Sequence, residues 1–303
     1  MNKISKGLFL ALLTAIISGL SVFLNKFAVN AIFNSDIFTT AKNLIVGLIL
    51  LGIVLTPLFY SKLKKIKIND WLKLILIGGI GGSIPFLLFF KGLSLTSATS
   101  AAFIHKTLFI WVSLLAVWFL GEKIGRLQYL ALGLLFLGNF TMLGFKFINF
   151  GWAEFLIFLA TLMWAIEFII AKKVLANVAA EIVAWARMFF GAIILLVYLF
   201  VIGQAGVLLD LHINQWYCLI ASSILLLGYV LTWYKSLQCL PAVTVTSILV
   251  LASPITTCLD LIIIGKYNIY QISGSALILA AIIILVYSFK KISHVQIRAE
   301  NFN

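Results

Sequence analysis

Long apolar runs of about 20 residues alternate along the chain with short connectors holding Lys, Asn, Asp and Gly. A run of that length crosses the roughly 30 Å hydrocarbon core of a bilayer as an α-helix. The pattern predicts ten such helices, at about 6–28, 36–58, 71–91, 97–120, 127–145, 151–173, 180–202, 215–236, 241–264 and 269–289. The first run has the basic start of a signal peptide, but it is about 20 residues long and has no A-x-A site, so it reads as the first membrane span. The connectors leave no room for a folded extramembrane domain, which excludes most enzymes built around a soluble catalytic head.

Composition strengthens this picture. Of 303 residues, 63% are hydrophobic and 10% charged, and no water-soluble core of this size could hide so much apolar surface. The formal charge of +13 first suggests a nucleic-acid partner, yet most Lys and Arg lie in connectors, where they report topology instead. Lys62, Lys64, Lys65, Lys67, Lys123, Arg126, Lys172, Lys173, Lys235, Lys290, Lys291 and Arg298 gather on one side and little beyond Lys91, Lys146 and Lys266 on the other. This asymmetry predicts a multi-pass membrane protein with both termini cytoplasmic. Cys218, Cys239 and Cys258 lie in or beside apolar segments without metal-ligand spacing, so neither a metal site nor a disulfide framework is expected. No cofactor is expected, and no nucleotide-binding loop supports ATP-driven pumping.

Shifting the chain against itself by about 144 to 146 residues aligns "FKGLSLTSATSAAFI" with "YKSLQCLPAVTVTSI" and "TTAKNLIVGLILL" with "AWARMFFGAIILL". Lys91 falls on Lys235, Gly121 on Gly265, Lys42 on Arg187 and Lys26 on Lys172. Each half then holds five spans, and an odd number places the halves in opposite orientations across the membrane. The expected fold is all-α and integral to the membrane, ten transmembrane helices in two inverted five-helix repeats, 1–146 and 147–290, followed by a cytoplasmic tail, 291–303. Secondary carriers are built this way, with the solute site near the midplane where the halves meet.

The segments "KGLSLTSATSAAFI", "LGEKIGRLQYLALGLLFLG" and "KSLQCLPAVTVTSILVLASPI" resemble the signatures of the drug/metabolite transporter superfamily, in particular its EamA-type ten-helix carriers. Pro254 and the basic Lys42 and Arg187 match positions typical of that family. The chain departs from the pattern where Gly121-Glu122 is answered by Gly265-Lys266 and where Ile110 replaces a proline. The resemblance implies transport, for substrates of many kinds.

An ionisable side chain at bilayer depth costs about 2.5–3.5 kcal/mol on insertion scales and is a functional candidate by default. Lys106 lies about nine residues beyond Ser97, roughly 14 Å into its helix, near the midplane. Sevenfold spacing puts Thr99, Lys106 and Ser113 on one stripe, whose twin in span nine carries Thr246, Val250, Ser253 and Thr257. Lys106 is expected to touch solute or to pair with Glu167. His105 points about 100° away and either contacts a neighbouring helix or binds solute or a proton. Glu167, with Trp164 on its face, is a candidate for an amino group or a coupling proton, or a counter-ion to Lys106 or Arg187. Asp260 reads as interfacial. Lys42 and Arg187 sit at symmetry-related depths, as anion contacts or as ties to carbonyl ends of helices.

In "GGIGGSIPF", Gly78, Gly82 and Pro85 predict a close helix contact and a kink in span three, answered by Ser222 and Ser223 in span eight. Both spans are expected to bend during alternating access. Trp71, Trp152 and Trp216 begin spans as interfacial anchors, while Trp111, Trp118, Trp164 and Trp185 lie deeper. The function expected is alternating-access transport of a small polar metabolite, an amino acid or related carboxylate, possible coupling being to protons. Two alternatives remain: a proton-coupled exporter of lipophilic cations, and an integral-membrane enzyme or scaffold, for which Asp210 and His212 offer only a weak external pair.

Overall fold

The computed structural model describes residues 2–32, 34–144, 150–265 and 268–300, and side chains over 2–25, 34–97, 100–144, 150–265 and 268–289. All regular structure among these residues is helical. The helices are α1 (Lys3–Ile32), α2 (Ser35–Val54), α3 (Pro57–Leu63), α4 (Ile68–Gly82), α5 (Ile84–Leu93), α6 (Ala98–Lys106), α7 (Leu108–Leu120) and α8 (Arg126–Met142). The second half holds α9 (Trp152–Val174), α10 (Ala180–Val201), α11 (Ile213–Cys239), α12 (Ala242–Leu249), α13 (Ala252–Leu259) and α14 (Ile269–Glu300), with a π-helical turn at Asp260–Ile264. Among the described residues nine segments are long and apolar enough to cross a membrane. The tenth crossing is α8, whose 17 residues reach about 26 Å and pack along α14. The chain is thus a multi-pass, ten-helix membrane protein.

Apolar composition drives these segments into helices because a backbone in hydrocarbon must satisfy its own hydrogen bonds. Their limits follow local chemistry. Asn34 Oδ1 accepts from the amides of Asp36 and Ile37 at 2.9 and 3.1 Å, starting α2, and Ser97 Oγ accepts from Ser100 N–H at 3.1 Å, starting α6. Gly121 and Gly265, paired by the repeat, both take left-handed backbone, at φ 65° and 71°, where a residue without Cβ ends a helix at least cost.

Helix α1 starts on one face of the bundle, here the terminal face, and after ten crossings α14 ends there too; the opposite face is distal. The packing has the two-fold pattern of the repeat. Helix α1 packs on α11 as α9 packs on α4 and α5; α1 meets α12 and α13 as α9 meets α6 and α7; α2 pairs with α10, and α8 with α14. The halves therefore interlock, with each half's first helix lying against helices of the other.

Three crossings are broken. Span three stops at Ser83, whose φ −138° and ψ −77° are not helical, so the expected kink is a full interruption. Spans four and nine break at Thr107 and at Val250–Leu251, equivalent positions in the repeat. Span eight, by contrast, is continuous as α11; a counterpart to the span-three bend is absent there, since Ser222 and Ser223 keep ordinary helical backbone without a following proline. Glycine brings α4 onto α10: a Cβ on Gly82 would lie 2.2 Å from Arg187 O, and one on Gly78 would lie 2.4 Å from Phe190 Cβ. Trp152 begins α9 exposed, and Trp71, half-buried in the first turn of α4, is edge-on to Trp185 at 6.2 Å and to Phe190 at 6.5 Å.

Candidate functional site

The breaks in spans four and nine border a cavity of about 400 Å³. Lys106 and Val250, the twin positions, both line it. It extends from mid-depth, at Tyr229, Thr246 and Leu249, toward the distal ends of α8, α13 and α14, where Leu143, Asp260 and Gln271 line it. Interrupted helices at mid-depth free backbone groups and turn side chains off the regular helical register, which is how carriers of this architecture build polar sites in a membrane.

Among the sequence candidates, Lys106, His105 and Thr257 line this cavity. The stripe of Thr99, Lys106 and Ser113 does not persist, because the break at Thr107 divides the helix that would carry it. Ser113 is buried and donates to Phe109 O at 2.6 Å, outside the cavity wall; the Thr99 side chain lies outside the described residues. The His105 ring is 4.8 Å from that of Trp164 and 5.3 Å from Phe89, and its buried Nδ1 has no hydrogen-bond partner among the described residues. Trp164 stands behind the histidine rather than in the wall. Asp260, expected near the outer end of span nine, lines the cavity where it reaches the distal ends of the helices, at the start of a π-helical turn.

Glu167 is fully buried elsewhere, in the terminal half of the bundle. Its Oε1 accepts from Tyr234 OH at 2.7 Å, and Arg187 is near enough to interact electrostatically. Its neighbour in charge is thus Arg187, from α10, and not Lys106. Arg187 Nη2 donates to Gly81 O at 3.2 Å, and Trp164 Nε1 donates to the same oxygen at 3.1 Å. Asn43 Nδ2 donates to Gly82 O at 2.9 Å. Carbonyls freed by the interruption at Ser83 are in this way satisfied from three other helices. Gly78 and Gly82 give the close approach, and Pro85 opens α5, where the lack of an N–H is harmless. Lys42, beside Asn43, lies over the Phe38 ring at 4.6 Å and outside the cavity.

Polar contacts gather at the terminal face, one set of them across the two halves. Glu122, at the end of span four, accepts from Ala242 N–H at 2.6 Å and Val243 N–H at 3.1 Å, buried donors in the first turn of α12 that have no partner within the helix. Lys172 Nζ donates to Leu237 O and Leu240 O, both at 2.6 Å, at the end of α11. Lys235 pairs with Glu181 at 3.0 Å. Sequence reasoning passed over Asn139 and Tyr229 in the cavity and Asn43 and Tyr234 in the buried cluster. It screened for charge; a search for uncharged polar residues deep in apolar runs, such as Asn139 in "LFLGNFTM", would have found several.

Ten helices in two interlocked, inverted halves, with broken helices around a cavity that runs from mid-depth toward the distal ends of the bundle, define a membrane carrier. Residues 5–144 and 151–287 match the EamA-like transporter family, and the chain belongs to that family. A curated relative from Sinorhizobium sp., named "Uncharacterized transporter in cobO 3'region", is 29% identical over 130 residues, covering 43% of this chain and 91% of that protein. A solved crystal structure with 14% identity superposes at a TM-score of 0.75, covering 93% of this chain and 97% of the other. At that identity the likeness concerns the fold alone.

Proposed function

We propose that the protein is an alternating-access carrier of a small zwitterionic metabolite, an amino acid or close relative, oriented in the bacterial inner membrane with its termini in the cytoplasm. The observation that carries this reading is the presence of Lys106 and Asp260 in one cavity at the two broken helices. A cation and a carboxylate in a low-dielectric cleft offer complementary partners to a solute that has both charges. Lys106 takes the acid group and Asp260 the amine. Thr246, Ser253 and Thr257, on one face of span nine, add hydroxyls, and Asn139 adds a carboxamide. The apolar wall, including Phe103 and Phe109, accepts a side chain of moderate size.

Alternation in this scheme closes the distal cleft and releases the contacts of Glu122 and Lys172 on the terminal face. The breaks at Thr107 and Val250–Leu251 let the distal halves of spans four and nine move against their terminal halves. The inverted packing relates the two end states by a pseudo-two-fold rotation about an axis in the membrane plane.

The test is uptake of a panel of radiolabelled amino acids into liposomes containing the purified protein, with and without a proton gradient. Saturable uptake that falls about tenfold or more in both Lys106→Ala and Asp260→Asn is expected. Movement of a cationic dye and of no amino acid would assign the cavity to lipophilic cations instead. Undiminished uptake in both variants would remove Lys106 and Asp260 from the solute path.

A further inference from the structure

The buried cluster around Glu167 presents a chemical puzzle. Arg187 is buried; its Nη2 donates to Gly81 O and the guanidinium interacts with Tyr234 and Glu167, while Nε and Nη1 have no hydrogen-bond partner among the described residues. Glu167 Oε1 is bonded to Tyr234, while Oε2 has no partner there. Buried polar atoms are nearly always satisfied. A cluster serving stability alone would gain from completing these bonds or from replacement by apolar side chains of similar volume.

Its position suggests a use. Glu167 lies about seven residues before the end of α9, Arg187 about seven after the start of α10, and Tyr234 about five before the end of α11. At 1.5 Å per residue these depths are roughly 8–11 Å from the terminal face. The distal cavity ends above them at Tyr229, which lines it and also lies within electrostatic reach of both Arg187 and Glu167. Between the two regions runs an aromatic partition: Tyr229 stacks on Trp233 at 6.1 Å, Trp233 meets Phe168 at 4.6 Å, and Arg187 lies over Phe168 at 6.0 Å. The other wall is the interruption of span three, where a Cβ on Gly81 would come within 2.5 Å of Glu167 Cγ.

We propose that Arg187, Glu167 and Tyr234 form a second solute site, closed in this state, which receives the carboxylate and the amine of the same small zwitterion when the bundle opens toward the terminal face. The inference rests on the carrier reading above and extends it to the other half of the cycle. Each half of the path then has one cation and one carboxylate: Lys106 with Asp260 on the distal side, Arg187 with Glu167 on the terminal side. Arg187 Nε and Nη1, which point to different sides of the guanidinium, each keep an N–H able to donate to a carboxylate oxygen. Glu167 Oε2 and the Tyr234 hydroxyl face the ammonium. The solute passes between the sites as Tyr229 and Trp233 move aside and span three flexes at Ser83.

Two measurements test this. In full-length protein with Cys218, Cys239 and Cys258 replaced by Ser, Trp233→Cys is exposed in sealed vesicles to a membrane-impermeant, anionic thiosulfonate applied from the terminal face. Modification during incubation with the amino-acid panel is expected; its absence over hours, with the same protein labelled fully after denaturation, overturns the proposal. Separately, the neutral pair Glu167→Gln/Arg187→Gln is expected to keep thermal stabilisation by the amino acids, which bind from the distal side, within about twofold while uptake falls about tenfold or more. Uptake at the wild-type rate overturns the proposal. If the wild-type protein neither binds nor moves any amino acid, the substrate reading fails, and the labelling experiment still decides whether this site opens.

Discussion

Glu122 Oε1 accepts the Ala242 N–H at 2.6 Å, so the end of span four caps the start of span nine across the two halves. The second oxygen holds the next amide, of Val243. A carboxylate on the first amides of a helix satisfies orphan donors and meets the positive end of the helix dipole.

Glu122→Ala removes both bonds. A lost helix cap costs about 1 kcal/mol, with a range of roughly 0.5–2. Because the contact also joins the two halves at the terminal face, the variant should react faster with a thiol reagent at Cys239, which adjoins the Leu240 carbonyl held by Lys172. The rate is to be measured with Cys218 and Cys258 replaced by Ser, alongside thermal unfolding in detergent. Glu122→Gln, which keeps one acceptor oxygen, should fall between the two.

Much of the fold was legible in the sequence, and the parts that were not share a cause. Ten spans followed from run length, and inversion from an odd number of spans per repeat. Lys106 stood out by depth, and the glycines and Pro85 marked the interruption at Ser83. The break at Val250–Leu251 lies four residues before Pro254, which has no N–H for the Val250 carbonyl and whose ring crowds it; the break at Thr107 has neither glycine nor proline in it or in the following turn, so tertiary packing, not local propensity, sets that one. The register argument failed beyond Thr107, where Ser113, bonded to Phe109 O, lies outside the cavity that Lys106 lines. Glu167 was recognisable as costly to bury, but insertion energetics do not say which helix supplies its partner, and the Tyr234 hydroxyl carries no charge to draw notice.

Asn43 donates to Gly82 O at 2.9 Å in the interior of the bundle. Asn43→Leu leaves that carbonyl without its donor and should cost about 1–3 kcal/mol, seen as a lower unfolding temperature. Asn43→Asp should be worse, since an ionised carboxylate cannot donate to it. Trp164→Phe should be milder, because Arg187 still donates to Gly81 O.

Gly82→Ala places a methyl group 2.2 Å from Arg187 O and 3.1 Å from Gly191 Cα. Both neighbours are backbone, so the helices must separate, and overpacking of this kind costs about 1–3 kcal/mol or more. A clear loss of folded, monodisperse protein is expected. Gly133 provides the contrast: it is helical and a Cβ there meets nothing within 4 Å. Gly133→Ala should leave stability unchanged or raise it by up to about 1 kcal/mol, through higher helix propensity. Equal losses in the two variants would argue against glycine-mediated contact between α4 and α10.

Lys172 and Glu122 hold opposite sides of one corner. Lys172 Nζ binds the Leu237 and Leu240 carbonyls at the end of α11, and Glu122 binds the amides that open α12. The two side chains also attract each other electrostatically. Lys172→Met strips the α11 carbonyls of their donor while keeping much of the apolar stem, so its effect reports the ammonium rather than lost packing. Since either substitution frees the Leu240–Pro241 corner, the second should do less harm once the first is present. A double-mutant cycle on thermal unfolding should therefore give a coupling of about 0.5–3 kcal/mol. The same non-additivity should appear in the Cys239 labelling rate. Strictly additive effects in both measurements would mean that the corner is held by two independent contacts, and that it can open one contact at a time.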